Sequence, residues 1–416
     1  MYKKTLCLYF QVHQPIRLRQ YHFFDIGKSH DYYDDFSNYT LTRRVADRCY
    51  IPMNRMLLDL IAKYGKSFKV AFSMSGMAVE QFRAYAPDVL DSFRELVKTG
   101  CVEILSETYS HSLACLVDAT EFKKQVKRHD DIMMEIFGVK PVTFRNTELV
   151  YSDTIGEMVA KMGFGAMLTE GAKHVLGWKS PNFVYTNVIT PKLKLLLKNY
   201  SLSDDIAFRF SDRSWEQWPL TADKYAGWLS AAARDGEIIN LFMDYETFGE
   251  HQHADSGIFD FMYNLPEAVF KGGQFEFLTP AEAVSKHQPV APLHVPFAIS
   301  WADEERDITA WLGNELQNEA FEELYKLKAR VTALKDKDIQ NDFDCLQASD
   351  HFYYMCTKLF ADGGLHKYFS PYDTPYEAFI NYMNVLSDLI VRIKRLEEAK
   401  PKHAAGKNGK KKIVTE

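Results

Sequence analysis

The chain has 416 residues, of which 46% are hydrophobic and 25% are charged, and its formal net charge is −6. These values are ordinary for a soluble globular protein and exclude a disordered or fibrous chain. The weak negative charge argues against nucleic acid as the main partner, because phosphate binding needs a concentrated basic surface.

The N-terminal residues and the cysteines indicate the compartment. The first apolar run is interrupted by Gln11 and His13, so it lacks the form of a signal peptide. No stretch has the ~18 consecutive apolar residues of a spanning helix. The six cysteines are widely spaced without a CxxC pair, which predicts reduced, buried thiols. We therefore expect a cytoplasmic protein with no membrane partner.

Short apolar runs alternate with amphipathic stretches over the first 250 residues. Near-continuous apolar character suits strands covered on both faces, as in parallel sheets. The predicted strands cover residues 5–12, 68–74, 102–107, 142–148, 165–170, 193–200 and 238–246. Between them, helices are predicted over Arg43–Lys63, over Ala78–Lys98, from a capping box at 118–121 to Gly138, and from Ser152 or Asp153 to Gly163. The alternation indicates an α/β barrel or a doubly wound sheet.

The pattern changes beyond about residue 290. Residues 305–336, 341–361 and 374–399 have helical periodicity with no strand between them, which predicts an appended helical bundle. Residues 401–416 are basic and poor in core residues, which predicts a disordered tail. The predicted domains are therefore a catalytic α/β domain at 1–290, a helical domain at 291–400 and the tail at 401–416.

Polar residues follow the predicted strands at the points where they end. In a parallel barrel these ends share one rim, which is where such barrels carry their active sites. Glu148 and Asp244 follow apolar strands, and a buried carboxylate must be paired, hydrogen-bonded or functional. Two carboxylates facing one bound atom suit glycoside cleavage, in which one attacks the anomeric carbon and the other protonates the leaving oxygen.

The histidines leave other interpretations open. His13 and His111, with carboxylates of the rim, could hold a metal ion as in metal-dependent barrel deacetylases. The tight HxxxH and HxxE spacings are absent, however, and we predict neither a metal nor a cofactor. The histidines could instead satisfy backbone groups or hydrogen-bond to sugar hydroxyls.

Several short motifs, taken in order, resemble those of glycoside hydrolase family 57. They are His-Gln-Pro at 13–15, Gly-Cys-Val-Glu-Ile at 100–104, Thr-Glu-Leu around Glu148, and Met-Asp-Tyr-Glu-Thr-Phe-Gly-Glu-His at 243–251. The resemblance covers roughly residues 5–315 and is nearest to the α-amylase branch, which also has a Trp-Ala-Asp segment like 301–303. It implies an incomplete (β/α)7 barrel followed by a C-terminal helical bundle, acting on α-glucans with retention of configuration.

The resemblance also implies roles for individual residues. Glu148 matches the nucleophile of the family and Asp244 matches its acid/base, so we expect their carboxyl groups ~5–5.5 Å apart, as retention requires. His13 and Glu103 fall where the family contacts substrate. The acidic segment around Trp301 has an odd composition for a linker, and an indole face can stack on a sugar ring. We extend the expected substrate-binding residues to Gln14, His111, Trp301 and Asp303.

Three positions depart from the usual motifs of the family, namely Cys101, the Phe144-Arg145 pair and Tyr245. These changes leave the class intact but obscure the branch of the family, so the motifs do not separate amylase, glucanotransferase, branching and pullulan-cleaving activities. The expected function is an α-amylase-like retaining hydrolase that binds an α-1,4-glucan or maltooligosaccharide. The alternatives are a 4-α-glucanotransferase using the same residues, a non-catalytic glucan-binding protein and a metal-dependent deacetylase.

Overall fold

Two five-stranded sheets form the α/β part of the protein in the computed structural model, which describes residues 3–358 and 370–399. The first sheet has the order β3-β2-β1-β8, with β9 also paired to β1, and the second has the order β10-β6-β7-β5-β4. The strands are β1 (Lys4–Val12), β2 (Val70–Met74), β3 (Val102–Ile104), β4 (Thr143–Arg145), β5 (Ala166–Glu170), β6 (Val184–Asn187), β7 (Lys194–Lys198), β8 (Ile238–Asp244), β9 (Phe275–Phe277) and β10 (Ala291–Leu293).

Helices connect these strands and then continue alone to the end of the described chain. The α/β part contains α1 (Asp35–Val45), α2 (Ile51–Tyr64), α3 (Gly76–Tyr85), α4 (Pro87–Lys98), α5 (Ala119–Phe137), α6 (Asp153–Lys161), α7 (Lys173–Leu176), α8 (Tyr200–Ala207), α9 (Ala222–Ala232), α10 (Ile258–Gly272) and α11 (Pro280–Lys286). The later helices are α12 (Thr309–Leu312), α13 (Glu315–Lys326), α14 (Lys328–Leu334), α15 (Lys337–Leu346), α16 (Ser349–Tyr353) and α17 (Pro375–Ala399). Within the described ranges, no helix has the length and apolar character needed to cross a membrane.

All seven predicted strands are present, and every pairing among them is parallel. The parallel α/β class is therefore confirmed. The prediction missed β6, β9 and β10, which are only three or four residues long and carry too little apolar pattern to be recognised. Strand β6 is antiparallel to β7, so the second sheet is mixed.

Backbone hydrogen bonds join the two sheets at both sides. At one side, Arg145 N–H donates to the Ser106 carbonyl at 2.8 Å, just beyond the end of β3. At the other, Asn199 N–H donates to the Asn240 carbonyl at 2.9 Å, between β7 and β8. The sheets enclose a small buried apolar cluster that includes Cys7, Leu105, Leu168, Leu196 and Phe242. This arrangement brings the carboxyl ends of strands from both sheets to one end of the molecule.

Two of the predicted helices are each divided in the structure. Helix α3 ends at Tyr85 and α4 begins at Pro87, because proline has no N–H to donate into a continuous helix and suits the first helical turn. The predicted helix over Arg43–Lys63 is α1 and α2, joined by a wider π-helical turn at Ala46–Tyr50. All six cysteines are buried free thiols, as expected.

Asp118 caps α5 as predicted, but the predicted capping box between Asp118 and Glu121 is not formed. The Asp118 carboxylate accepts hydrogen bonds from Thr120 N–H and Glu121 N–H, both at 2.9 Å. The Glu121 side chain instead accepts from Gln125 and Gln347, so it faces the packed interior and not the start of its own helix. Lys328 at the start of α14 donates to the same Asp118 carboxylate at 2.8 Å.

The helical region begins later than the predicted boundary at residue 290. Strand β10 pairs with β6, and Tyr151 and Ile299 exchange backbone hydrogen bonds of 3.0 and 2.9 Å, so residues 291–299 still belong to the sheet region. The predicted helices at 305–336 and 374–399 are present as α12–α14 and α17. The tail at 401–416 and the end of the predicted helix at 341–361 lie outside the described residues.

We expect Asp118→Ala to lower the free energy of unfolding by about 1 kcal/mol, because the substitution removes the side-chain cap of α5. Asp118→Asn keeps an oxygen acceptor for the cap and loses only a partly exposed ion pair with Lys328, so its effect should be smaller. Urea unfolding of both variants checks this. Equal loss in the two variants would show that the ion pair and not the cap stabilises α5.

Candidate active site

A cavity of about 450 Å³ lies at the carboxyl ends of the strands, between the sheets and the helical region. Strands β7 and β8 contribute Lys198 and Asp244, and the segment after β1 contributes His13 and Gln14. The helical side contributes residues of the 301–306 segment and of α16. The lining includes Glu148, His111, Asp204, Glu246, Trp301, Asp303, Arg306, Asp350, Tyr353 and Tyr354.

Glu148 reaches the cavity from a turn with an unusual backbone. Beyond β4, Glu148 and Leu149 have φ values of 55° and 52°, a left-handed region that non-glycine residues rarely adopt. Asn146 stabilises the turn, because its side-chain amide donates to the Val150 carbonyl at 2.8 Å. The Glu148 carbonyl also accepts the Trp301 N–H at 3.2 Å. Strain of this kind is retained where the surrounding structure fixes it and is common at functional sites.

The Glu148 carboxylate accepts hydrogen bonds from three separate parts of the chain. Trp301 Nε1 donates to Oε2 at 2.7 Å, while Ser349 Oγ and His111 Nε2 lie 3.0 and 3.3 Å from Oε1. Burial acts to raise the pKa of Glu148, but the hydrogen bond and charge of His111 and the charge of Arg145 outweigh it, so the pKa falls below its usual value. Glu148 is therefore ionised at neutral pH.

His111 lies between two carboxylates. Its Nδ1 is 3.5 Å from Glu107 Oε1 and its Nε2 is 3.3 Å from Glu148 Oε1. Burial opposes the charged form, but the two carboxylates outweigh burial and raise the pKa of His111 to about 9. The imidazole is thus a cation at neutral pH and supplies part of the charge that keeps Glu148 ionised.

Asp244 is in a different environment from Glu148. It ends β8, where it pairs with Gln11 of β1, and its side chain faces the same cavity. Within residues 3–358 and 370–399, no side chain forms a hydrogen bond or an ion pair with its carboxylate. Burial and the negative charge of Glu148 raise the pKa of Asp244 to about 6, against the opposing charges of Arg145 and Lys198. The pKa values of Glu148 and Asp244, which line the same cavity, are therefore displaced in opposite directions.

His13 connects the first strand to the helical region. Its ring stacks on His111 with the centroids 3.9 Å apart, and burial together with the nearby His111 lowers its pKa. A neutral His13 can donate from Nε2 to Asp350 Oδ2 at 2.8 Å and accept the Ser75 hydroxyl at Nδ1, at 2.6 Å. The Gln14 side chain also lines the cavity and donates to the Tyr50 hydroxyl at 3.2 Å.

Glu103 does not lie at the cavity. It pairs with Ala71 near the amino end of β2, and its Oε2 accepts the Ala281 N–H of α11 at 2.9 Å. Glu107, which does lie beside His111, is four residues further along the chain, a separation of roughly 13 Å in an extended segment. The expected substrate contact of Glu103 is therefore corrected to a role in holding the start of α11.

Trp301 and Asp303 reach the cavity as expected, although their contacts differ from a simple sugar platform. The guanidinium carbon of Arg145 and the ammonium of Lys198 lie 4.8 and 5.4 Å from the Trp301 ring centroid. Asp303 has a φ of 54° and accepts from Lys358 at 3.1 Å. The polar edge of the indole thus points to Glu148, while cations lie over its ring.

Several cavity residues were not among the predicted site residues. Lys198 and Arg306 both bond to Asp204, at 2.9 and 3.0 Å, and so close one side of the cavity. Their positions at a strand end and in the acidic 301–306 segment were recognisable signals. Ser349 and Asp350 begin a short helix far along the chain, and no local pattern there indicates a site.

Glu246 lines the same cavity two residues after Asp244. The Tyr50 hydroxyl donates to its carboxylate, and burial and the charge of Asp244 raise its pKa to about 8. Glu246 is therefore mostly protonated at neutral pH, which removes a third negative charge from the vicinity of Asp244. Among the described residues, no group of three or more His, Cys, Asp and Glu side chains is arranged to hold a metal ion.

Comparison with known proteins identifies the family. The profile of Glycosyl hydrolase family 57 matches residues 7–296. The chain belongs to this family. A provisionally named alpha-amylase of Methanocaldococcus jannaschii is 43% identical over 403 residues, which cover 93% of this chain and 84% of the relative.

Solved structures of the family share its architecture. The GH57-type branching enzyme of Pyrococcus horikoshii has a TM-score of 0.69 at 15% identity, over 96% of this chain and 92% of that one. The 4-alpha-glucanotransferase of Thermococcus litoralis has a TM-score of 0.62 at 15% identity, over 85% of this chain. This chain spans only 56% of the length of that transferase. At such identities the structures establish the shared fold alone.

The family match ends before three of the residues that surround Glu148 and His13. Trp301, Ser349 and Asp350 all lie beyond residue 296, yet they bond to Glu148 or to His13. The region beyond the family match therefore supplies part of the hydrogen bonding around Glu148 and His13.

Ser349→Ala should raise the pKa of the Glu148 carboxyl by about 1 pH unit, because a hydrogen bond to a charged acceptor is lost. Carbon-13 NMR of labelled glutamate measures this, with the Glu148 signal assigned by its loss in Glu148→Gln. Ser387→Ala, which removes a hydroxyl that bonds only within α17, is the matched control and should leave the titration unchanged. An unchanged titration in Ser349→Ala would contradict the role of Ser349 in holding the charge on Glu148.

Proposed function

We propose that this family 57 protein is a retaining glycoside hydrolase that cleaves α-1,4-glucosidic bonds, with Glu148 as nucleophile and Asp244 as acid/base. The observation that carries the proposal is the opposite displacement of two pKa values in one cavity. The pKa of Glu148 lies below its usual value and that of Asp244 rises to about 6. Such a pair provides an ionised group to attack and a protonated group to donate at the same pH.

The first step breaks the glycosidic bond. An oxygen of Glu148 bonds to the anomeric carbon while Asp244 gives its proton to the departing glycosidic oxygen, which leaves as an alcohol. In the second step, the Asp244 carboxylate accepts a proton from water, whose oxygen bonds to the anomeric carbon and displaces Glu148. Two inversions restore the original configuration. An acceptor sugar in place of water would give transfer by the same steps.

The environment of each carboxyl group supports its role. Trp301, Ser349 and His111 donate to Glu148 and fix its direction, which favours one geometry of attack. Asp244 has no such partner among the described residues, so its proton is free to pass to the substrate.

The cavity suits a short neutral sugar chain. Its volume of about 450 Å³ lies in the range of small-ligand sites. Tyr353 and Tyr354 line the cavity with aromatic rings that suit sugar faces, while Gln14 and Asp350 supply polar groups for hydroxyls. The relative at 43% identity carries an alpha-amylase name, which supports α-glucan as the substrate class.

We also propose that the strands form the predicted incomplete (β/α)7 barrel, as a catalytic domain to which the helical bundle is appended. The order β1-β2-β3-β4-β5-β7-β8 is continuous through the pairings and the two joints at Ser106 and Asn240. We place the boundary between the domains after Ile299, which exchanges backbone hydrogen bonds with Tyr151.

Incubation with maltoheptaose tests the proposed activity. We expect reducing sugar to accumulate and only shorter products to form, with the α-anomer released first. Products longer than the substrate would favour the 4-α-glucanotransferase alternative. Binding of maltoheptaose without any change in chain length would favour a non-catalytic glucan-binding protein.

Glu148→Gln should abolish turnover while leaving glucan binding largely intact, because the amide keeps the shape of the side chain but cannot form a glycosyl ester. Asp244→Asn should be equally severe on starch, since the leaving oxygen loses its proton donor. Aryl maltosides with good leaving groups should recover the first step only in Asp244→Asn, because they need little protonation. Starch hydrolysis near the native rate in either variant would remove that residue from the mechanism.

The pH dependence of kcat/KM should be bell-shaped with an acidic optimum. The rate should fall as the pH rises through about 6, where Asp244 loses the proton that it must donate. It should also fall as the pH drops through the lowered pKa of Glu148, because the nucleophile becomes protonated. A value of kcat/KM that stays constant from about pH 5 to about pH 9, a range that brackets the pKa of Asp244, would contradict the assignment of Asp244.

A further inference from the structure

Arg145 carries a positive charge directly behind the proposed catalytic pair. It ends β4, three residues before Glu148, and its side chain is fully buried. It is also one of the positions at which the sequence departs from the usual family motif. Because an arginine keeps its charge even when buried, this residue places a permanent cation inside the protein.

The charge of Arg145 is not neutralised by a close ion pair. The shortest approach to a carboxylate is 4.0 Å, from Nη1 to Glu107 Oε2. Glu107 already accepts from Gln11 at 3.1 Å and from Ser73 at 2.7 Å. Within residues 3–358 and 370–399, none of the three guanidinium nitrogens of Arg145 has a hydrogen-bond partner. A buried cation without a close partner acts over several ångströms, because little solvent screens it.

The guanidinium instead contacts the ring of Trp301, with its central carbon 4.8 Å from the ring centroid. Trp301 donates from Nε1 to Glu148 Oε2 at 2.7 Å. A cation against an indole ring withdraws electron density from it and makes the N–H a stronger donor. Arg145 is therefore linked to the Glu148 carboxylate through the indole as well as through space.

We infer that Arg145 is a positioning residue, whose buried charge holds the Trp301 indole on Glu148 and stabilises the negative charge of the Glu148 carboxylate. The inference rests on the proposed function for its catalytic meaning. Its electrostatic part is supported by the directions of the pKa shifts, since the charge of Arg145 lowers the pKa of Glu148 and opposes the rise at Asp244. The charged and titratable groups that surround the same region are Tyr9, Glu107, His111, Glu148, Lys198 and Asp244.

Replacing Arg145 by a neutral residue should therefore raise the pKa values of both Glu148 and Asp244. In Arg145→Met, the pKa of Glu148 should rise by about 1 pH unit, at the lower end of what a nearby opposite charge produces. Both limbs of the kcat/KM profile should move to higher pH. Arg145→Lys keeps a charge in the same place, so its limbs should stay close to those of the native protein.

Arg128→Met is the matched control. Arg128 also stacks on an aromatic ring, with its guanidinium carbon 3.5 Å from the Tyr109 centroid, and it pairs with a buried carboxylate, Asp344, outside the cavity. Its loss should reduce stability without moving either limb. A purely structural role for Arg145 predicts the same behaviour in Arg145→Met, and this result would overturn the inference.

Carbon-13 NMR titration of the Glu148 carboxyl separates the inference from the proposed function. If the native protein cleaves no glucan, the proposed function fails, yet the titration still reports whether Arg145 lowers the pKa of Glu148. An unchanged Glu148 titration in Arg145→Met would overturn the inference even in an active enzyme. If Arg145→Met does not fold, Arg145→Gln, which is neutral but retains hydrogen-bonding groups, is measured in its place with the same two outcomes.

Discussion

Three separate parts of the chain meet at the carboxylate of Glu148. It is held by an imidazole after β3, an indole that follows the sheet region, and a hydroxyl at the start of a helix near residue 349. A buried carboxylate is costly unless donors compensate it, so these three contacts must form together if the charge is to remain. The strained backbone of Glu148 is consistent with this, because the surrounding contacts over-determine its position. The site is therefore complete only when the two parts of the chain are packed together.

Positive charges and one protonated carboxyl group offset the negative charges of the cavity. His111 is cationic between Glu107 and Glu148, Arg145 adds a permanent charge behind them, and Glu246 keeps its proton at neutral pH. Without these adjustments the cavity would hold several adjacent negative charges. The result is one ionised carboxylate, Glu148, next to one carboxyl group, Asp244, that binds a proton up to about pH 6. Each group was buried by the same sheets, so the difference between them comes from their neighbours and not from depth.

Much of this arrangement could be predicted from the sequence, because parallel strands impose a simple geometry. The strand ends place His13, His111, Glu148 and Asp244 at one rim, and apolar runs identify the strands that these residues end or follow. Glu103 was misplaced because its role was inferred from the resemblance to the family motifs, which carries no information on depth along the strand. Helix boundaries failed where a proline or a π-helical turn divides one amphipathic pattern, since periodicity continues across such breaks.

The residues that escaped sequence reasoning share a physical cause. Ser349 and Asp350 contact residues that lie about 200 or more positions away in the chain. The start of a short helix also has no composition that distinguishes it from other helix starts. Arg145 was visible only as an oddity, since a charged residue in an apolar strand is ambiguous until its neighbours are known. The two parts of the chain thus contribute differently: Glu148, Asp244 and His111 end or follow strands, while Trp301 and Ser349, which donate to Glu148, come from later segments. Because Ser349 lies in the helical region and donates to Glu148, we expect substitutions there to alter the ionisation of Glu148 without touching any residue of the matched family segment.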